Sequence, residues 1–176
     1  MLNKSKKRVK ILNDIIHVLK HPDIYGTIDY IKQDESRIKQ FIYPHLLRKI
    51  ENMFIEFDGI KESTAKNKAQ KSLIWEGDKK STVHNLLFFN VFHRPDMIVE
   101  FKDLNIAIEI KKGDNGSSIR EGIGQCMIYS KSFDFTIFLM IDTNKDKRIV
   151  NSLQSDKEKT FIKDLWESNN IMFNVV

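Results

Sequence analysis

Asp96, Glu109 and Lys111 interrupt a stretch that is otherwise written for burial, "RPDMIVEFKDLNIAIEIKK", from Arg94 to Lys112. The apolar residues around them define two strands, Asp96–Phe101 and Ile106–Lys111, joined by a short polar turn. Side chains alternate along a strand, so Glu109 and Lys111 share a face with Ala107, while Ile106, Ile108 and Ile110 turn the other way into the core. A two-residue turn at Asp103-Leu104 would set Asp96 directly opposite Lys111, with Glu109 on the diagonal. Two carboxylates roughly 7 Å apart can both reach one hard divalent cation. Charges in a dry sheet are costly unless they are paired or bind a metal. A single lysine does not balance two carboxylates, whereas a divalent cation does. An ion pair of Lys111 with either acid, at a sheet edge, is the plainer alternative. Mg2+ held by one or two carboxylates and a substrate phosphate suits phosphodiester hydrolysis, with Lys111 acting on the attacking water or on the transition state by its charge.

The elements that must position these groups follow from periodicity. Ile11, Leu12, Ile15, Ile16 and Leu19 predict an amphipathic helix over Lys7 to Lys20, ending at His21-Pro22. Asp34 or Ser36 caps a second helix through Ile38, Phe41 and Ile42, which resumes after Pro44 through Leu46, Leu47, Ile50 and Phe54. "GIKESTAKNKAQKS" reads as a loop or a frayed helix, and "TVHNLLFFNVF" as a strand. Ser118 and Glu121 form a capping-box pattern that predicts a helix to about Ser130. "DFTIFLMID" is a buried strand, Asp156 to Ser168 a helix and "IMFNVV" a closing strand. This order predicts an α/β fold with a mixed β-sheet flanked by helices. Gly122 and Gly124 either allow a close approach or are tolerated defects in their helix.

At 176 residues the chain reads as a single compact domain, with residues 1–33 a helical extension packed on a core of 34–176. No apolar run is long enough to span a bilayer, and the start lacks a signal-peptide segment, so no membrane partner is expected. One cysteine, Cys126, fits a reducing cytoplasm. A net charge of +5 leans toward a polyanionic partner. "KSKKRVK" is either an electrostatic arm for DNA or the wet side of the first helix. No Gly-rich phosphate cradle is present, which argues against ATP-driven activity.

Pro95-Asp96 followed by Glu109-Ile110-Lys111 resembles the signature of the PD-(D/E)XK nuclease superfamily. Gln125 and Tyr129, four apart on the next helix, resemble the Q-x-x-x-Y motif of RecB-like nucleases. "DESRIKQFIYPHLL" is similar to the first-helix motif of nuclease domains in type I restriction motor subunits. The resemblance spans about Asp34 to Val176, and the segment from Leu47 to Thr82 has no counterpart in the family core. It implies a restriction-endonuclease-like fold and Mg2+-dependent DNA cleavage, with Mn2+ as a substitute. It assigns metal contacts to Asp96, Glu109, the Ile110 carbonyl and Glu35, the last directly or through water, with Glu51 or Glu56 as the alternative helix carboxylate. Gln125 would orient the site, and Lys112, Arg120 and Tyr129 would contact DNA. Restriction or defence against foreign DNA is one setting. Cleavage of junctions or in repair is a second, and a non-catalytic DNA-binding module with the same fold is a third. Cutting both strands of a duplex needs two sites and hence a homodimer.

Overall fold

The structure is a computed structural model that describes residues 4–26, 29–77 and 86–176. Four helices come first: α1 (Lys4–Leu19), α2 (Pro22–Gly26), α3 (Glu35–Asp58) and α4 (Glu62–Ser72). Strands β1 (Leu73–Trp75), β2 (Leu86–Phe88), β3 (Val91–His93), β4 (Met97–Phe101) and β5 (Leu104–Gly113) follow. The chain closes with α5 (Gly116–Tyr129), β6 (Phe135–Asp142), α6 (Arg148–Ser152), α7 (Asp156–Asn169) and β7 (Ile171–Val175).

Five strands form one mixed sheet in the order β1-β4-β5-β6-β7. The β1–β4 and β4–β5 pairs are antiparallel, and β5–β6 and β6–β7 are parallel. Both faces are covered. Met97, Val99, Ile106, Ile108 and Ile110 pack with α1, α3 and α4, and Phe138 and Met140 pack with Cys126 of α5 and Leu165 of α7. Ile11, Leu12, Ile15 and Leu19 of α1 belong to the first of these cores, so the helical extension is continuous with it. No helix among the described residues is long and apolar enough to cross a membrane.

Asp34 is the cap of α3, its side chain accepting from Arg37 N at 2.6 Å. The helix runs unbroken through Pro44 and stops at Gly59, whose φ of 63° suits a residue without a Cβ. Four expectations are corrected. "ESTAKNKAQKS" is the ordered helix α4, whose inward stripe is Ala65 and Ala69. Alanines bury well against α3 but carry so little hydrophobic contrast that the polar composition masks them. The strand expected at "TVHNLLFFNVF" is not in the main sheet: residues 82–85 lie outside the described residues, and Leu86–His93 form a separate hairpin, β2–β3. The sheet's outer strand is Leu73–Trp75 instead. Helix α5 starts earlier than the capping box suggested, because the Asn115 side chain accepts from Ser117 N and Ser118 N.

The fourth correction fixes the site. The β4–β5 turn is Lys102-Asp103, with Phe101 opposite Leu104, and Lys102 takes the left-handed φ of 59°. The register is therefore displaced by two residues from a turn at Asp103-Leu104. An even displacement leaves every side chain on its expected face. Met97 faces Ile108, so one step further along the ladder Asp96 comes opposite Glu109 rather than Lys111.

Candidate active site

Asp96 lies just before β4, where the ladder is ending. Glu76 N donates to its backbone carbonyl at 3.1 Å and continues the β1–β4 pairing. The next position along the ladder would be Pro95 against Ile110. Proline carries no N–H, and β4 does not extend that far. Ile110 N donates instead to Asp96 Oδ2 at 2.7 Å. A residue in an extended strand directs its N–H and C=O to the same side. The Ile110 carbonyl therefore leaves β5 on the side where Asp96 sits.

Glu109 and Asp96 are both buried, at 2% and 4% exposure. Helix α5 closes over them. It approaches this closely because residue 122 is glycine: a Cβ there would come within 2.4 Å of the Phe138 ring and 3.1 Å of Lys111 Cγ. Gly124, by contrast, faces open space. Tyr129 is fully buried beside Glu109 and gives its one hydroxyl proton to Arg94 O at 2.8 Å. Two buried side-chain oxygens accept no hydrogen bond among the described residues: Glu109 Oε2, at the site, and Gln125 Oε1, one turn along α5 from Gly122.

Two lysines answer the acids. Lys111 Nζ is 3.2 Å from Glu109 Oε1 and 2.9 Å from Glu121 Oε1. Lys39, from the second turn of α3, bonds Asp96 Oδ1 and lies 2.8 Å from Glu35 Oε1. Glu35 Oε2 accepts from Lys112 N at 3.0 Å, which fastens the start of α3 to the end of β5. Four carboxylates, Glu35, Asp96, Glu109 and Glu121, thus meet two ammonium groups near the start of β4 and the end of β5.

Burial raises the pKa of Asp96 although Lys39 and the Ile110 N–H oppose it. Burial, and then the neighbouring Asp96, push Glu109 up to about 8, against the pull of Lys111. Without a cation, Glu109 therefore holds a proton at neutral pH. Burial would lower Lys111, but Glu121 and Glu109 outweigh it and raise it. Lys39 is likewise raised, its burial outweighed by Asp96 and Glu35. Both lysines stay charged at neutral pH, which makes them electrostatic groups rather than proton acceptors.

The residues expected at a metal are thus brought together in part. Asp96 and Glu109 lie side by side, and the Ile110 carbonyl leaves β5 on the Asp96 side. Glu35 lies at the same end, reached through Lys39. Glu51 and Glu56 lie further along α3, and Glu56 pairs with Lys10 at 3.0 Å. Among the described residues no three His, Cys, Asp or Glu side chains converge as a ready-made metal group. The open Glu109 Oε2 beside Asp96 is what fits a divalent cation: a buried acceptor, next to a second acid, lacking a donor.

The expected DNA contacts fare differently. Lys112 spends its ammonium on the carbonyls of Ile31, at 2.7 Å, and Gln33, so it anchors the approach to α3. Tyr129 is too buried to touch a nucleic acid. Arg120 is exposed on α5. The basic start of the chain is committed to packing: Lys7 and Lys10 lie over the Phe57 ring, and Arg8 pairs with Asp134. Sequence reasoning missed Lys39 altogether. Its signal was the i, i+4 spacing from Glu35, on the helix already assigned to the site. No protein-family model, curated protein or solved structure matches this chain.

Proposed function

We propose that this chain is a divalent-metal-dependent DNA nuclease with a restriction-endonuclease-like fold. The observation that carries the reading is Asp96 and Glu109 side by side and buried, with Glu109 Oε2 open and Lys111 beside it. The helix-then-mixed-sheet order supports the fold assignment, and the pairing of P-D before one strand with E-x-K on the next supports the activity.

Asp96, Glu109, the Ile110 carbonyl and, once released from Lys39, Glu35 would hold Mg2+ or Mn2+. When bound, the cation supplies charge that lowers the pKa of a water and stabilises the phosphate oxygens. Hydrolysis joins the water oxygen to phosphorus and breaks one P–O ester bond. The ammonium of Lys111, held between Glu109 and Glu121, orients that water and offsets the charge growing on the phosphate. Gln125, from the helix covering the site, holds Oε1 ready for a donor. Cleavage of both strands would take two copies of the chain, and a reducing cytoplasm suits its one buried thiol.

A DNA-binding module that hydrolyses nothing is the second reading, and one observation favours it. Lys39 already bridges Glu35 and Asp96, so an ammonium stands where a cation would. Plasmid nicking with Mg2+, with EDTA, and with Mg2+ and Lys111→Ala separates the two. Nicking is expected in the first mixture alone. Intact plasmid after prolonged incubation with both Mg2+ and Mn2+ would favour the second reading, and a gel shift of the same DNA would then establish it. A normal rate for Lys111→Ala would remove that lysine from the mechanism.

A further inference from the structure

The β2–β3 hairpin joins neither of the two cores, although it is almost wholly apolar. Leu86 pairs with His93, Leu87 with Phe92 and Phe88 with Val91. Directly opposed residues share a face. Leu87 and Phe92 therefore lie on one side, at 60% and 70% exposure, and Phe88 and Val91 on the other, at 40% and 55%. Phe89, at the tip, is 88% exposed. Its φ is 51° and that of Asn90 is 58°, the left-handed pair of a tight two-residue hairpin turn. Glycine, asparagine or aspartate suit such a turn, whereas a phenylalanine there is strained. An aromatic ring is thus held in solvent, at a conformational cost, on a blade that is apolar on both sides.

A flat protein partner would cover one side of that blade. Each side offers only a few hundred Å2, well under the roughly 800 Å2 per partner of a stable interface. A slot with apolar walls on both sides suits it better, and parted DNA bases form such a slot. The blade also stands near the acids. His93 is three residues before Asp96, a reach of at most about 11 Å. The link between them is tied down where the Tyr129 hydroxyl donates to the Arg94 carbonyl at 2.8 Å. The chain as a whole carries a net charge of +5, which favours a polyanionic partner.

We propose that the Leu86–His93 hairpin is a stacking wedge: Phe89 and Phe92 lie against base faces of a DNA strand at the mouth of the site, so the substrate is DNA with unpaired or parted bases beside the cut. The inference rests on the nuclease reading for the location of the cut, and its test is a binding measurement that needs no cleavage. Phe89→Gly combined with Phe92→Ser is the informative variant. Glycine accepts the left-handed turn, so the thermal midpoint should stay level or rise. The full chain, with Ca2+ in place of Mg2+, is titrated into a forked duplex carrying 2-aminopurine at the fork, and into a plain duplex of the same length.

Wild type should bind the fork more tightly and change the 2-aminopurine fluorescence. The double variant should lose roughly tenfold or more in affinity for the fork, lose the fluorescence change, and stay within twofold on the plain duplex. Equal fork affinity for wild type and variant would overturn the wedge. So would sedimentation showing a wild-type dimer that the variant dissociates, which would make the hairpin a face between copies. Hairpin-dependent fork binding without plasmid nicking would defeat the nuclease reading and leave the wedge standing. Nicking with hairpin-independent fork binding would do the reverse.

Discussion

Glu109 on β5 and Asp142 at the end of β6 are buried carboxylates on neighbouring strands, and the fold treats them in opposite ways. Asp142 Oδ1 accepts from Asn144 N at 2.9 Å and Nδ2 at 2.6 Å, and Oδ2 accepts from Ile149 N at 2.9 Å and Val150 N at 3.2 Å. Burial pushes its pKa up, but the donors of Asn144, Val150 and Ile149 win and hold it below the usual value. Glu109 has one lysine, an acidic neighbour and an open oxygen, and its pKa rises to about 8. A buried acid saturated with N–H donors closes a loop. One left with an open lone pair beside another acid still has room for a ligand.

The sharpest way to break this contrast is to neutralise each acid. Glu109→Gln should reduce Mg2+-dependent nicking by about 10³-fold or more, a loss of ~4 kcal/mol of transition-state stabilisation. The metal-free variant should melt at or above the wild-type temperature at pH 8, because the amide removes a charge the site does not welcome. A variant that nicks normally would place the chemistry elsewhere. Asp142→Ala should do the opposite. It strands the N–H groups of Asn144, Ile149 and Val150 and should lower stability by about 2–4 kcal/mol, measured by urea unfolding. Nicking per folded molecule should be nearly unchanged.

Acidity sharpens the comparison further. Glu109 keeps its proton in the folded chain up to about pH 8, whereas the unfolded chain releases it near 4.5. Its contribution is fully present below the unfolded value and is lost as pH rises through the folded one, so metal-free stability should fall between those limits. Asp142 has the opposite sign: its lowered pKa contributes above the unfolded value and is lost as pH falls through the folded one. Unfolding free energies of the metal-free chain from urea titrations at pH 5.5 and 8.5 should differ by roughly 1–3 kcal/mol in favour of the lower pH. Glu109→Gln should flatten that slope, and a slope unchanged by it would disprove the assignment.

Legibility of this fold followed the strength of the local pattern. The strands carrying Ile106, Ile108 and Ile110, and the run from Phe135 to Asp142, declare themselves by apolar content alone. Asp96 and Glu109 could be set on one face from alternation, and that inference survived a misplaced turn because the displacement was even. What opposes what did not survive, because Lys102 adopts a left-handed φ that no residue type there announces. Helix α4 was hidden by its alanines. The hairpin was hidden because a phenylalanine occupies a turn position where the usual signal is asparagine or glycine. Lys39 is a different omission: a lysine on a helix surface looks solvated until the sheet end it meets is known.

That lysine provides the smallest and most discriminating test. Lys39 joins Asp96 Oδ1 to Glu35 Oε1, with side-chain exposures of 15%, 6% and 30% for Lys39, Asp96 and Glu35. In the metal-free chain it lowers the repulsion among three acids, and the partly exposed Glu35 side chain lets water share that task. Lys39→Met should therefore lower metal-free stability by only about 1 kcal/mol, less than breaking a fully buried pair. The same oxygens are the ones a cation would need. If the ammonium holds the cation's place, Mn2+ at pH 8 should raise the melting temperature of Lys39→Met by more than it raises wild type, since nothing competes for Asp96 and Glu35. A smaller Mn2+ shift in the variant would mean that Lys39 helps to build the metal site rather than stand in for its occupant. Asp96 and Glu109 would then act without Glu35.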